Sequence, residues 1–325
     1  MKTTVIIPNY NGIKYLKDCL DALCANMNEE FSFDITVVDN GSEDGSVEMI
    51  REGYPAVKII ELNENTGFAA AVNRGIEACD TDYVLLLNND VNVREDFVKK
   101  LEDYIDSDDK LFSVNSVMMS MADNAVLDGG GDYYCALGWA YAYKKGKPTS
   151  EVIAAGDRKI FSACGGASIF RKSVLSKIGM FDEEHFAYLE DVDLGYRARL
   201  AGYKSMLYTG ALCEHAGSGF SGSRYNDFKI SLSSRNSIYL IFKNMPLLQI
   251  IINLPFLLAG FGIKIMFFAA KGYLKTYVKG LGEGFKLSFS KKGRLHRLKF
   301  NPKNTGHYIV VQLELWINII RRLFA

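Results

Sequence analysis

The 325-residue chain carries 38 Lys/Arg and 38 Asp/Glu, 48% hydrophobic residues and six cysteines, a balance that fits a globular protein with a large core and excludes a disordered or strongly polyionic one. The neutral total hides a split. Residues 1–242 hold 24 Lys/Arg against 36 Asp/Glu, while residues 243–325 hold 14 against 2, the pattern of an acidic soluble domain followed by a segment that meets an anionic surface.

The chain opens Met-Lys-Thr-Thr and enters a β-branched run at once, so no secretory leader is expected. No Cys-x-x-Cys pair occurs, and reduced, structural thiols are expected. Residues 3–7 read as a first strand stopped by Pro8. Ile13, Leu16, Leu20 and Leu23 then recur at helical spacing. Strands follow at 33–38, 57–62 and 83–87, separated by short helices at 46–53 and 69–79. Alternating strands and helices over about 90 residues specify an α/β fold with a mostly parallel sheet flanked by helices.

Each strand ends in polar residues: Asn9 and Asn11, Asp39, Asn63 and Asn65, Asn89 and Asp90. In a parallel sheet these converge on the ligand-binding edge. Asp90 behind a continuous apolar strand, flanked by amide oxygens, suits a hard divalent cation, although an Asn/Asp turn has the same composition. Asp39 either accepts the N3–H of a uracil or thymine or closes an Asx turn before Gly41. Arg74 either reaches a diphosphate or is a solvated arginine. Tyr10 either stacks on a base or packs. No Walker loop and no Gly-x-Gly-x-x-Gly occurs, which removes P-loop and dinucleotide-binding readings.

The ordered motifs Val5-Ile6-Ile7-Pro8-Asn9-Tyr10-Asn11-Gly12, Val37-Val38-Asp39-Asn40-Gly41-Ser42, Asn65-Thr66-Gly67-Phe68 and Leu87-Asn88-Asn89-Asp90 resemble those of family-2 glycosyltransferases. Those are inverting, sugar-nucleotide-dependent enzymes with the GT-A fold. The resemblance implies that Pro8, Tyr10, Asn11 and Asp39 hold the nucleoside, and that Asn88-Asn89-Asp90 occupies the family's Asp-x-Asp metal site. Asn88 departs from that pattern and leaves Asp90 as the main carboxylate for Mg²⁺ or Mn²⁺.

A helix is expected over 93–105 and a strand over 111–119. Residues 120–160 contain Asp128-Gly129-Gly130-Gly131-Asp132, read as the most flexible stretch. The tyrosines and Trp139 around it read as a packed hairpin or a sugar-stacking surface. Gly165-Gly166 allows close backbone approach. Glu190-Asp191-Val192-Asp193 opens a helix, so its acids either cap the dipole or include a general base. The segment 165–199 resembles the second motif block of the same family. This implies that Asp191 is the catalytic base, that Glu190 supports the acceptor site, and that His215, after a strand at 203–208, joins the metal or diphosphate site.

A helix is expected over 225–243, with Arg235-Asn236 in its middle. Residues 245–263 are uncharged but broken by Pro246, Pro255, Gln249 and Asn253. That reads as two helices lying partly immersed at a membrane interface rather than as a span. From Lys264 to Lys303 there are 11 basic residues and one acid, which favours an anionic leaflet over nucleic acid. Residues 308–324 form a last amphipathic helix, with Leu313, Trp316, Ile317, Ile320 and Phe324 on one side. A dimer through these helices is the competing role.

The expected organisation is a GT-A catalytic domain at 1–223, split at 110/111 into a nucleotide half and an acceptor half, and a membrane-associating or oligomerising region at 224–325. The expected activity is transfer of a sugar, a deoxysugar such as rhamnose by resemblance, from a dTDP- or UDP-sugar to a lipid-linked saccharide at the cytoplasmic face of the cell membrane, in polysaccharide assembly. An inactive nucleotide-sugar-binding scaffold is the alternative, which intact acids at Asp90 and Asp191 disfavour. A nucleotidyltransferase would carry a basic nucleotide loop that Pro8-Asn9-Tyr10-Asn11-Gly12 lacks.

Overall fold

The computed structural model describes residues 1–217 and 225–323. The 223/224 boundary, Ser218 and Phe324 lie outside them. The first half alternates as expected: β1 (Thr3–Asn9), α1 (Ile13–Cys24), β2 (Asp34–Asp39), α2 (Ser46–Gly53), β3 (Lys58–Glu61), α3 (Phe68–Glu77) and β4 (Tyr83–Leu87). There follow β5 (Val91–Val93), α4 (Phe97–Asp106), β6 (Leu111–Ser120), β7 (Asp123–Gly129), β8 (Asp132–Cys135), β9 (Trp139–Ala142), α5 (Thr149–Ala155), β10 (Arg158–Ile160), β11 (Ala167–Arg171), α6 (Lys172–Ile178), α7 (Glu190–Leu200) and β12 (Lys204–His215).

The main sheet runs β10-β12-β6-β11-β4-β1-β2-β3, with β5 added to β12 and β7 to β6. Strands β3, β2, β1, β4, β6 and β12 point one way, and β11 and β10 oppose them. The sheet is covered on both faces. Val5, Ile7, Leu85 and Leu87 pack with α1 and α4. Ile6, Val84 and Leu86 pack with α3 and α7. This two-sided burial explains why β4 reads as an unbroken apolar run.

Three boundaries differ from expectation. Strand β1 continues through Pro8 to Asn9. Beyond Ile6 its pairing is with β2 alone, so the missing N–H of Pro8 faces no neighbouring strand. Val93 belongs to a strand rather than to a helix, and β12 runs on to His215. These two changes are one event: β5 pairs with the extension of β12, setting His215 opposite Val91.

The C-terminal helices are α8 (Asp227–Asn244), α9 (Leu247–Ala270), α10 (Leu274–Phe289), α11 (Lys291–His296) and α12 (Thr305–Leu323). Residues 247–270 form one continuous helix with Pro255 inside it, not a broken pair. Neighbouring groups hold that helix together. Tyr196 donates to Gln249 at 2.7 Å, Asn253 and Gln312 bond reciprocally at 2.8 Å, and Trp139 Nε1 donates to the Gly260 carbonyl at 3.1 Å. Helix α12 buries Val311, Leu315 and Asn318, and leaves Leu313, Trp316, Ile317 and Ile320 exposed. All six cysteines are free thiols.

One buried ionic hub joins α7 to α8. Asp193, fully buried, takes Arg197 at 2.8 Å, Lys243 at 2.9 Å and the Asn244 amide at 2.8 Å. Lys243 also meets Asp182 at 2.7 Å. Burial pushes the Asp193 carboxyl up, but Arg197 and Lys243 outweigh it and hold the pKa well below the usual carboxylate range. Lys243→Met takes a shared cation from two buried carboxylates that keep only part of their partners, and is expected to cost up to about 3–5 kcal/mol in urea unfolding. Because Asp193 is depressed in the folded state, wild-type stability is full above the ordinary carboxylate value of about 4 and falls as pH drops below it. That acid slope is expected to shrink in Lys243→Met.

Candidate active site

A cleft of about 840 Å³ opens at the carboxyl ends of β1 and β4 and is floored by the start of α7. Pro8, Tyr10, Asn89, Asp90, Gly166, Glu190, Asp191 and His215 all line it. Asn11, Asp39 and Arg74 are not among its lining residues. Asp39 is buried behind the β1 turn, accepting from Asn9 Nδ2 and the Ser42 amide, both at 2.9 Å. Asn11, at φ 50°, accepts from the Glu43 amide. Arg74 pairs with Glu77 at 3.0 Å and lies 3.9 Å from Glu183.

The β1 turn is organised by Asn9. Its amide nitrogen donates to Asp39 and to Ser46 Oγ at 2.9 Å, and its oxygen accepts from Asn89 at 2.7 Å. Gly12 is required here because a Cβ would lie 1.9 Å from Asn89 Nδ2. Asn89 is thus tied to the first strand, and Asp90 is left facing the cleft.

On the opposite wall, the β5–β12 pairing brings His215 Nε2 to 3.2 Å from Asp90 Oδ1. The other ring nitrogen, Nδ1, lies 2.7 Å from Asp128 Oδ2. Burial lowers the imidazole pKa, but the two flanking carboxylates dominate and raise it to about 9, so the position favours positive charge. A carboxylate oxygen and an imidazole nitrogen converging on one point, with a second carboxylate orienting the ring, is the donor set of a divalent-cation site of the Mn²⁺ type. The residues therefore fit such an ion. Asp128 escaped the sequence reading because it sits in a Gly-rich stretch; its spacing from His215 carries no local signal.

The cleft floor holds Asp132, Glu190 and Asp191. Burial raises the pKa of Asp191 to about 6, against the pull of backbone amides at Val192 and Gly165. Burial and then the Asp191 charge raise Asp132 to about 8, and push Glu190 well above its usual range. Three adjoining carboxyls, each held above the ordinary carboxylate range, cannot all carry full charge together, which is the setting in which one of them can take up a proton near neutral pH. Asp132, Cys164 and Asp191 also approach within 4.8 Å of one another. Asp132 was another sequence-level miss, hidden as a turn residue.

The loop ahead of α7 stores strain. Phe186, Tyr188 and Leu189 all have φ between 62° and 69°, a conformation costing about 1–3 kcal/mol per residue. Helix α8 holds it: Asn236 Nδ2 donates to the carbonyls of His185, Ala187 and Tyr188 at 2.7–2.9 Å. Arg235 donates to the carbonyls of Glu184 and His185. Thus Arg235-Asn236, visible in the sequence only as polar residues inside an apolar helix, fixes the entry to Glu190 and Asp191.

The sheet order, the converging strand ends and the cleft define a GT-A-type fold with a site suited to sugar-nucleotide chemistry. Residues 4–179 match the family described as glycosyl transferase family 2, and the chain belongs to that family. It is 26% identical over 236 residues to an N-acetylglucosaminyl-diphospho-decaprenol L-rhamnosyltransferase of Mycobacterium tuberculosis, covering 65% of this chain and 75% of that protein. An undecaprenyl-phosphate 4-deoxy-4-formamido-L-arabinose transferase of Pseudomonas savastanoi is 36% identical over 96 residues, covering 27% of this chain and 28% of the relative. In fold, the chain resembles S. aureus TarS 1–349 in complex with UDP-GlcNAc (TM-score 0.57, 17% identity, 97% of this chain and 89% of that one). It also resembles GalNAc-T7 with UDP, GalNAc and Mn²⁺ (TM-score 0.60, 13% identity, 75% and 48%).

Asp128→Asn is expected to lower Mn²⁺ affinity in the presence of UDP by about 10–100-fold, the usual cost of removing a carboxylate that orients a ligating histidine. Electron paramagnetic resonance titration of free Mn²⁺ measures it. Unchanged affinity would remove Asp128 from the site.

Proposed function

We propose that the protein is an inverting glycosyltransferase that moves a sugar from a nucleoside-diphosphate donor to a hydroxyl of a lipid-linked saccharide. The observation that carries this reading is the pair of facing groups in one cleft, Asp90 with His215 on one wall and Asp191 on the floor. Asp90 and His215 would hold a divalent cation, which when bound supplies positive charge to the departing diphosphate. Asp191 takes the proton of the acceptor hydroxyl as it attacks the anomeric carbon from the face opposite the leaving group. Glu190 and Asp132 line the cleft floor beside Asp191, placed to hydrogen-bond the acceptor. Asp39 keeps lone pairs on both oxygens after its two bonds, which is compatible with accepting the N3–H of a UDP- or dTDP-sugar. The L-rhamnosyltransferase relative supports a deoxysugar donor, and the prenol-linked names of both relatives support a lipid-linked acceptor.

A membrane-surface location goes with this. Helix α9 has a mean hydropathy of 2.0 over its most apolar 18 residues, of which only 17% are buried. That exposure is unlike a soluble core helix. Leu248, Leu258 and Met266 are each about two-thirds exposed. The basic residues at 264–303 add roughly 1 kcal/mol each close to an anionic leaflet. Division of the chain near 223/224 into catalytic and membrane-associating parts belongs to the same proposal, as does placement at the cytoplasmic face.

The test is nucleoside diphosphate release from a panel of UDP-, dTDP- and GDP-sugars with Mn²⁺ and a membrane lipid extract, with and without EDTA. Asp191→Asn is expected to cut turnover by about 10²–10⁴-fold while UDP affinity stays put. Since the base works ionised, wild-type kcat/KM is expected to rise with pH through about 6 and level off above it. Full activity of Asp191→Asn would sink the base assignment.

A further inference from the structure

A second pocket of about 210 Å³ lies between α8, α9 and α10. Tyr188, Ser233 and Lys264 line both it and the main cleft, so the two adjoin. Its position is set by close packing. A Cβ on Gly280 would lie 1.9 Å from Ser234 Oγ, and one on Gly284 would lie 2.5 Å from the Arg235 carbonyl. Only glycine lets α10 settle this deeply on α8, and that contact seats Tyr277 in the pocket wall.

Two polar groups stand in the pocket wall. Tyr277 is 2% exposed, and its hydroxyl is buried with no hydrogen-bond partner among the described residues. A buried, unpaired hydroxyl is costly and calls for an explanation. Lys264 projects from the apolar helix α9. Its ammonium stands 5.8 Å from the Trp139 ring centroid and makes no ion pair with a carboxylate among the described residues. Lys229 brings further positive charge to the wall. A lysine and a tyrosine lining one small cavity offer a positive charge and an O–H donor, which suit a compact anion with several oxygens. Phe268, from the end of α9, forms the apolar side of the same pocket, beside a helix whose outer face is Leu, Ile, Met and Phe.

We propose that this side pocket binds the phosphate group through which an acceptor saccharide is joined to its lipid, with Lys264 as the cation and the Tyr277 hydroxyl as donor. The proposal rests on the glycosyltransferase reading and deepens it. The saccharide extends into the main cleft toward Asp191, the phosphate sits in the side pocket, and the hydrocarbon leaves along the exposed face of α9. An anion held at this one point sets how far the acceptor hydroxyl reaches, so the pocket selects lipid-phosphate-linked acceptors over free sugars.

The test is isothermal titration of the full-length protein in detergent with phytanyl diphosphate, with inorganic pyrophosphate and, separately, with UDP and Mn²⁺. Phytanyl diphosphate is expected to bind at least tenfold more tightly than pyrophosphate. Lys264→Gln is expected to weaken it at least tenfold and Tyr277→Phe several-fold, with UDP affinity unchanged. Tyr277→Phe removes an unpaired buried hydroxyl, so its thermal midpoint is expected to hold or rise; a loss of lipid binding there is not a loss of fold. Equal phytanyl diphosphate affinity in wild type and both variants overturns the proposal. Pyrophosphate binding as tightly as phytanyl diphosphate overturns its lipid part. Donor turnover is assayed in parallel. Absent turnover with intact, Lys264-dependent phytanyl diphosphate binding would fail the transferase reading alone, whereas turnover without such binding would fail this proposal alone.

Discussion

One buried carboxylate, Asp193, holds together the two parts of the chain that make the site. It receives Arg197 from its own helix and Lys243 and Asn244 from α8. Buried ion pairs give little net stability, but removing one partner leaves a charge in a low-dielectric interior. The contact is therefore best understood as a registration device. It fixes α8 against α7, and α8 in turn presents Asn236 to the carbonyls of His185, Ala187 and Tyr188 in the strained loop. The cleft floor inherits its geometry from a helix more than forty residues downstream.

Two aspartates separated by one residue thus have opposite chemistry. Asp193 points into the hub, where cations hold it ionised at any physiological pH. Asp191 points into the cleft, where burial raises its pKa to about 6 against the pull of backbone amides. A half-turn of helix separates an anchor from the proposed base. Sequence proximity alone made them one acidic cluster.

This shows what was legible in advance and what was not. Strands β1 to β4 and the helices between them could be read because their signals are local: β-branched runs, helical spacing and turn residues. Asp90 was legible as a cleft residue because it follows β4 directly, whereas Asp191 and His215 were reached only through the family resemblance; all three line the cleft. The β5–β12 pairing was not legible, since it joins residues 91–93 to 213–215 through long-range hydrogen bonds. Asp128 and Asp132 were hidden because glycine and aspartate together signal a turn, whatever the carboxylates later meet. Pro255 misled for the opposite reason. Its local cost was real, but tertiary contacts on α9 keep the helix continuous across it.

Those same contacts give the proposed membrane association a direction. Gln249, Asn253, Leu257, Gly260 and Lys264 recur every three or four residues and mark the stripe of α9 that meets the protein. Over this distance a helix rises about 22 Å, so α9 is held along the protein for most of its length. A helix crossing a bilayer needs its whole circumference free of soluble structure, and this one would carry the β8–β9 hairpin, part of the folded core, with it. A bilayer in contact with the exposed Leu, Ile and Met side chains therefore lies parallel to α9. The side pocket and the cleft then sit beside the lipid surface rather than above it, within reach of a headgroup that stays anchored.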